Sequence, residues 1–331
     1  MSTRFLSDEQ LERLRSFPDI GREELNKYFT LTSREHGFLD APGRGPEARL
    51  GLAVQLCTLP WLGYIPDNLL EIPQAALLRL ANQIAVFPGM LEVYDRATRK
   101  RPQTRSDHLK AVLKYLTWKN PKPGSIQWKE LEQFLLDRAM EHDTPSLLFQ
   151  QAVEHLQSAQ VVRPGAVTLM ELVTAARAAA GKLTTQKVGH LLTGSMRADL
   201  DRLLVEDPEI GMSRLRWLTT PAVEASVTAI GVSLDKLLYL RAMDAHQLDL
   251  SMLPRERRRF LATVARRSTV QGLQRRQERR YPILLSMVAQ SAVDQLDEVI
   301  ALFDQAVSAR ESHAKSKTDE ALAERAKKGC P

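Results

Sequence analysis

The chain has 331 residues, 44% of them hydrophobic and 6% aromatic, and a formal net charge of +6. That length and apolar share exclude an intrinsically disordered chain and allow either two domains or one large helical domain. No run approaches the roughly 20 apolar residues that cross a bilayer, and the N-terminal MSTRFLSDEQ is polar, so no membrane span or signal peptide is read and a cytoplasmic location is expected. Two distant cysteines, Cys57 and Cys330, exclude a disulfide framework, and Cys57 lies in an apolar run that suits a buried free thiol.

Abundant Ala and Leu with few β-branched runs predict an all-α, multi-helical fold. Thr32 followed by Glu35 forms a capping box for Ser33 to Leu39. After the loop from Ala41 to Pro46, Leu50, Val54 and Cys57 recur at helical spacing in Glu47 to Leu59, and Pro60 is expected to stop that helix. Pro73 opens a helix from Gln74 to Phe87 with Leu77, Leu80, Ala81 and Ile84 on one face. Within Asp107 to Trp118, Leu109, Val112, Leu113 and Leu116 form a core stripe, and Lys110 and Lys114 lie one turn apart on another face. Ser125 caps a helix to about Glu141, and a further helix spans Ser146 to Gln160.

The turn Arg163-Pro164-Gly165 marks the expected border between a first helical domain, 1–160, and a second, 161–310. Beyond it, Ala166 to Lys182 reads as an Ala-rich helix, followed by Thr185 to Val205, a turn at Asp207-Pro208, Met212 to Leu218 and Val223 to Ala245. In Pro254 to Arg267 the residues Phe260, Leu261 and Val264 face one way, whereas Arg255, Arg258, Arg259 and Arg266 fall on a different arc. After Tyr281-Pro282 a long amphipathic helix is expected to about Arg310, followed by a polar tail, 311–331.

Charge is concentrated in two windows. Between Arg255 and Arg280 lie ten arginines and two glutamates, a net +8, and between Arg96 and Lys122 nine basic residues face the single acid Asp107, again +8. The remainder is therefore near −10. Two cationic blocks on an acidic body are the footprint expected of a polyanion-binding protein, and the acids needed to pair those cations are missing from both windows. Guanidiniums on consecutive turns can each displace a condensed counterion from duplex DNA. Arginine forks to guanine, and Gln271 and Gln274 are of the type that reads adenine. Short helices joined by tight turns suit helix-turn-helix-like units, with one helix in the major groove.

Other chemistry finds little support. His36, His108, His142, His155, His190, His246 and His313 are scattered, so no metal site is expected. Gly43-x-Gly45 follows no strand, and Gly194-Ser195-Met196 lacks the second glycine of a nucleophile elbow. No catalytic residue and no cofactor are expected.

The segment Arg49-Leu50-Gly51-Leu52-Ala53-Val54-Gln55-Leu56-Cys57 resembles the RLGFAVQLC signature of the transposases of replicative class II transposons, the ampicillin- and mercury-resistance type. Co-linear landmarks are Arg105-x-x-His108-Leu109, Arg163-Pro164-Gly165 with Glu171 and Ala175-Ala176-Arg177, and Ser213-x-Leu215-x-Trp217-Leu218. Leu253-Pro254-x-x-Arg257 with Leu261-Ala262, Gln271-Gly272-Leu273-Gln274-Arg275-Arg276 and Arg279-Arg280-Tyr281 follow, so the resemblance covers about residues 5 to 310. Leu52 replaces a usual Phe, and Pro282 stands where Ala is frequent.

The resemblance implies a helical DNA-binding region that recognises terminal inverted repeats. Three catalytic carboxylates and their magnesium ions would belong to a C-terminal portion that this chain does not reach. The expectation is thus a DNA-binding protein that is not itself an enzyme and can repress transposition. The alternative is a DNA-binding subunit of an active transposase completed by a separately encoded catalytic chain. Its partner is double-stranded DNA at transposon ends, with self-association left open. The residues expected at the DNA are Arg105, His108, Lys110, Lys114, Arg163, Arg255, Arg257, Arg258, Arg259, Arg266, Arg267, Gln271, Gln274, Arg275, Arg276, Arg279 and Arg280.

Overall fold

The computed structural model describes residues 5–221, 226–244 and 247–328. They form α-helices joined by short turns, and the only paired strands among them are a two-residue hairpin, so the all-α expectation holds. The chain folds into two compact units, residues 1–139 with 143–179, and 140–142 with 180–331.

The first unit contains α1 (Asp8–Arg13), α2 (Arg22–Tyr28), α3 (Ser33–Leu39), α4 (Pro46–Leu62), α5 (Gln74–Gln83), α6 (Met90–Lys100), α7 (Pro102–Leu116), most of α8 (Ile126–Glu141), α9 (Pro145–Ser158) and the first half of α10 (Ala166–Gly189). Its centre is α4, which is buried on all sides from Leu50 to Leu59. A helix that is apolar around its whole circumference can only be satisfied by neighbours on every face, and α2, α3, α5, α6 and α7 supply them. Each fully buried Leu there is worth roughly 1.5–3 kcal/mol of transfer free energy.

Pro60 does not stop this helix. α4 continues to Leu62 and ends at Gly63, whose φ of +76° suits glycine alone. The carbonyls of Pro60 and Trp61 at this end accept hydrogen bonds from Gln157 Nε2, at 3.0 and 3.2 Å. The capping box is present as expected, with the Glu35 carboxylate 2.6 Å from the Thr32 amide. The helix from Gln74 ends at Gln83 rather than Phe87, because Ala85 adopts a φ of +52°. Ser125 accepts from the Trp128 amide at 3.3 Å and opens α8.

A buried polar chain crosses this core. Gln55 Nε2 donates to the Tyr94 hydroxyl at 2.8 Å, and that hydroxyl lies 3.0 Å from Nδ1 of His108, whose ring stacks on the tyrosine. With Gln55 donating to the tyrosine oxygen, the Tyr94 proton is left for a neutral His108. Burial lowers the His108 pKa and pushes that of Tyr94 up to about 12. Gly51 makes room for the same tyrosine, since a Cβ there would lie 2.5 Å from the Tyr94 ring.

The second unit contains the rest of α10, α11 (Gly194–Arg202), the hairpin β1 (Glu206–Asp207) and β2 (Met212–Ser213), α12 (Arg214–Thr219), α13 (Val227–Ala242), α14 (Arg255–Arg267), α15 (Val270–Gln274) and α16 (Arg280–Lys328). Of the helix expected from Val223 to Ala245, the positions 223–225 and 245 lie outside the described residues. The start of α16 is the core element: Tyr281, Ile283, Leu284, Leu285, Met287 and Val288 are buried, and the helix packs on α13 and α14. Pro282 sits in its first turn, where the missing N–H has no intrahelical partner to lose. The helix does not end near Arg310 but runs on to Lys328, and its residues from 311 to 324 are exposed to solvent. Its Ala, Lys, Glu and Arg content is strongly helix-favouring even without a buried stripe.

Two outcomes test this packing. Gly51→Ala is expected to lower stability by about 1–3 kcal/mol through overpacking against Tyr94, and an unchanged urea midpoint would contradict the close contact. Because the folded-state pKa of His108 is depressed, the unfolded chain binds its proton first as pH falls. Its contribution is present above the unfolded histidine pKa and is lost below it. The wild-type should therefore lose more stability than His108→Asn between pH 7 and pH 5, and equal losses in thermal melts would refute the arrangement.

Candidate nucleic-acid interface

The structure sorts the cations of each block into those held inward and those left outward. In the first unit, Arg105 donates to the carbonyls of Pro66 and Asp67, at 2.8 and 2.7 Å, and thereby ties the loop after α4 to α7. His108 is half-buried beside Tyr94. Arg99 lies 2.7 Å from the buried Asp95, Arg96 lies 3.8 Å from Glu92, and Lys110 lies 3.0 Å from Asp107. Hydrogen bonds from Lys110 and Gln103 hold the Asp107 carboxyl below its usual range. Arg163 is 7% exposed, stacks over the Tyr64 ring at 3.8 Å and donates to the Leu14 carbonyl at 2.6 Å. Its desolvation lowers its pKa, a burial that π-stacking and the carbonyl offset. Exposed and without an ion pair among the described residues are Lys100, Arg101, Lys114, Lys119 and Lys122.

In the second unit, Arg257 is 4% exposed and its Nε donates to Thr184 Oγ1 at 3.3 Å. Arg280 forks to both carboxylate oxygens of Asp201, at 2.8 and 3.1 Å, with the Tyr281 hydroxyl joining the same carboxylate. This bidentate bond lowers the Asp201 pKa and raises that of Arg280. Arg266 pairs with Asp294, and Arg259 lies 3.4 Å from Glu256. The sequence suggested that pairing acids were missing. Asp107 and Glu256 inside the windows pair with Lys110 and Arg259, and further acids come from just before the first window, as Glu92 and Asp95, and from far along the chain, as Asp201 and Asp294. No local pattern could have revealed the two distant ones.

What remains outward is more compact than the sequence list. Exposed Arg255 and half-buried Arg258 stand at the start of α14. At its far end, exposed Arg267 leads into α15, whose Thr269 side chain accepts from the Gly272 amide at 3.1 Å and whose buried Leu273 anchors it. Gln271, Gln274, Arg275, Arg276 and Arg279 are exposed around this five-residue helix and the turn that follows. Among the described residues none of Arg267, Arg275, Arg276 and Arg279 has an ion-pair partner, while the neighbouring Glu278 is taken up by Arg197 at 2.5 Å. Unpaired guanidiniums interleaved with two carboxamides offer both phosphate and base-edge donors on one surface. Among the described residues, no three His, Cys, Asp or Glu side chains converge as a metal site would need, and no helix is long and apolar enough to cross a membrane.

Comparison with known proteins supplies the family. Residues 5–176 match the domain of unknown function DUF4158. The chain is 26% identical over 325 residues to the transposase for transposon Tn1546 of Enterococcus faecium, covering 96% of this chain and 32% of the relative. It is 28% identical over 285 residues to the transposase for transposon gamma-delta of Escherichia coli (strain K12), covering 85% and 28%. To the transposase for transposon Tn2501 of Escherichia coli it is 30% identical over 331 residues, covering 96% and 31%. The chain thus spans about a third of the length of these relatives.

These matches overturn one expectation. The chain was expected not to be an enzyme, yet the relatives that align with nearly all of it are transposases, which are enzymes. That expectation rested on placing the catalytic carboxylates of the family outside this chain, whereas the chain's kinship is with transposases along nearly its whole length. As the signature from Arg49 to Cys57 implied, the chain belongs to the transposase family of class II transposons, with the DUF4158 domain forming its first half.

Proposed function

We propose that this chain is the part of a class II transposase that binds duplex DNA at the transposon ends and reads their inverted repeats. The relatives are named as transposases for particular transposons, and the DNA held here would be the substrate of that activity in the whole protein. The observation that carries the reading is the outward set around α15, where Arg267, Arg275, Arg276 and Arg279 remain unpaired beside Gln271 and Gln274 although the same window is elsewhere neutralised from a distance.

The first unit contributes differently. Lys110 and Lys114 lie on one exposed face of α7 and act as point charges toward phosphates. Arg163, Arg257 and Arg280 hold the scaffold, and Arg105 and His108 position α7, so each of these five serves the packing of its own unit. Along α14, Arg259 and Arg266 are paired with Glu256 and Asp294, which leaves Arg255 and Arg258 to meet phosphates.

If about 6–10 phosphates are neutralised, log K should fall with log salt at a slope of roughly −5 to −9. Changing Arg275 and Arg276 to Ala should cut the preference for end-bearing over random duplex by about 1–3 kcal/mol per lost bidentate contact. Changing Lys110 and Lys114 to Ala should weaken both duplexes alike and make the slope shallower by about 2. Fluorescence-anisotropy titrations over a salt series check this. A slope near zero, or an unchanged preference in the arginine variant, would reject the reading.

A further inference from the structure

We propose that a cavity of about 240 Å³ between the start of α14 and the first half of α16 clamps a single phosphate group of the DNA backbone. Arg255, Arg258 and Arg259 line one side, and Ser286 and Gln290 line the other. Ser286 is 2% exposed, and its hydroxyl has no hydrogen-bond partner among the described residues. The Nε of Arg258 is likewise buried without a partner. Buried donors left unmade are costly and uncommon, and two of them on one cavity call for an acceptor that enters from outside.

The chemistry of that acceptor follows from the walls. Three guanidiniums within little more than one helical turn select an anion. The acids nearby neutralise them only in part: Glu256 pairs with Arg259 at 3.4 Å, and Asp249, bound chiefly by the Ser251 amide, feels Arg258 only electrostatically, so Arg255 is left without an ion pair among the described residues. Guanidinium forks match the spacing of oxygens on a tetrahedral oxyanion, and a serine hydroxyl completes the donor set. The cavity falls below the roughly 300–1,000 Å³ that holds a whole small molecule, so it fits one phosphate and not a nucleotide or a cofactor.

That this phosphate belongs to DNA rests on the function proposed above. α14 carries the outward Arg267 at its other end, about 18 Å away along the helix axis. One helix would then fix the duplex by a seated phosphate at its start and present the base-reading surface at its end.

The test uses the full chain, an end-bearing duplex and inorganic phosphate as separate probes. Ser286→Ala removes an unsatisfied hydroxyl, so its melting temperature without ligand should equal or exceed that of the wild-type. Its affinity for the end-bearing duplex should nevertheless fall about five- to tenfold, with an unchanged salt slope. Arg258→Gln should lose more affinity and make the slope shallower by about 0.9. At constant ionic strength, inorganic phosphate should raise the melting temperature of the wild-type but of neither variant. If the wild-type binds the duplex and both variants match it in affinity and phosphate response, the cavity is overturned while the proposed function stands. If the wild-type shows no preference for ends but the phosphate response is lost in the variants, the function and the DNA source fail together, and a free phosphate is the ligand.

Discussion

A guanidinium taken out of water in a helical core must be neutralised or hydrogen-bonded on the spot, and this requirement organises both units of the chain. Desolvating such a group costs several kcal/mol unless good geometry offsets it. Arg163 meets the demand with the Tyr64 ring and the Leu14 carbonyl, Arg257 with Thr184, and Arg280 with a two-pronged bond to Asp201. Among these contacts only the last uses an acid, and Asp294 is also taken up, by Arg266. Among the described residues, the block cations without an ion pair include Arg267 at the end of α14, Arg275, Arg276 and Arg279 around α15, and Lys100, Arg101, Lys114, Lys119 and Lys122 in the first unit.

Local rules made much of the fold legible. The capping box at Thr32 and the Ser125 cap rest on contacts within four residues, and the core stripe of α7 on helical spacing; each appears where the sequence placed it, with Val112 and Leu113 buried and Leu109 and Leu116 partly so. Boundaries set by longer-range packing were less readable. Pro60 lies inside α4 because Gln157 satisfies the carbonyls beyond it and Gly63 supplies the left-handed stop, neither of which is visible at Pro60 itself. α6 went unread because its first turn follows a proline-glycine pair, and the continuation of α16 past Arg310 follows propensity with no apolar stripe to announce it.

The candidate interface was legible in total charge but not in its division. A window with ten arginines looks uniform in sequence, yet burial removes Arg257 from the surface, and Asp201 and Asp294 claim Arg280 and Arg266 across gaps of 79 and 28 residues. Ser286 gave no signal at all, since a serine in an apolar helical run reads as a tolerated core residue. Its importance rests on the missing hydrogen bond, which only the packed structure reveals. Family kinship, by contrast, was carried by short motifs such as Arg49 to Cys57, whose spacing is imposed by the buried α4 and the ring of Tyr94 against Gly51.

The central claim is that the outward cations engage a specific duplex rather than any polyanion. The most direct measurement is a hydroxyl-radical footprint of the wild-type chain on the inverted repeats of its parent element, at physiological salt and with excess random duplex as competitor. Protection confined to the repeats, in two separated stretches that persist under competition, is the predicted result. Protection that spreads evenly along the DNA, or vanishes as soon as random duplex is added, would contradict it.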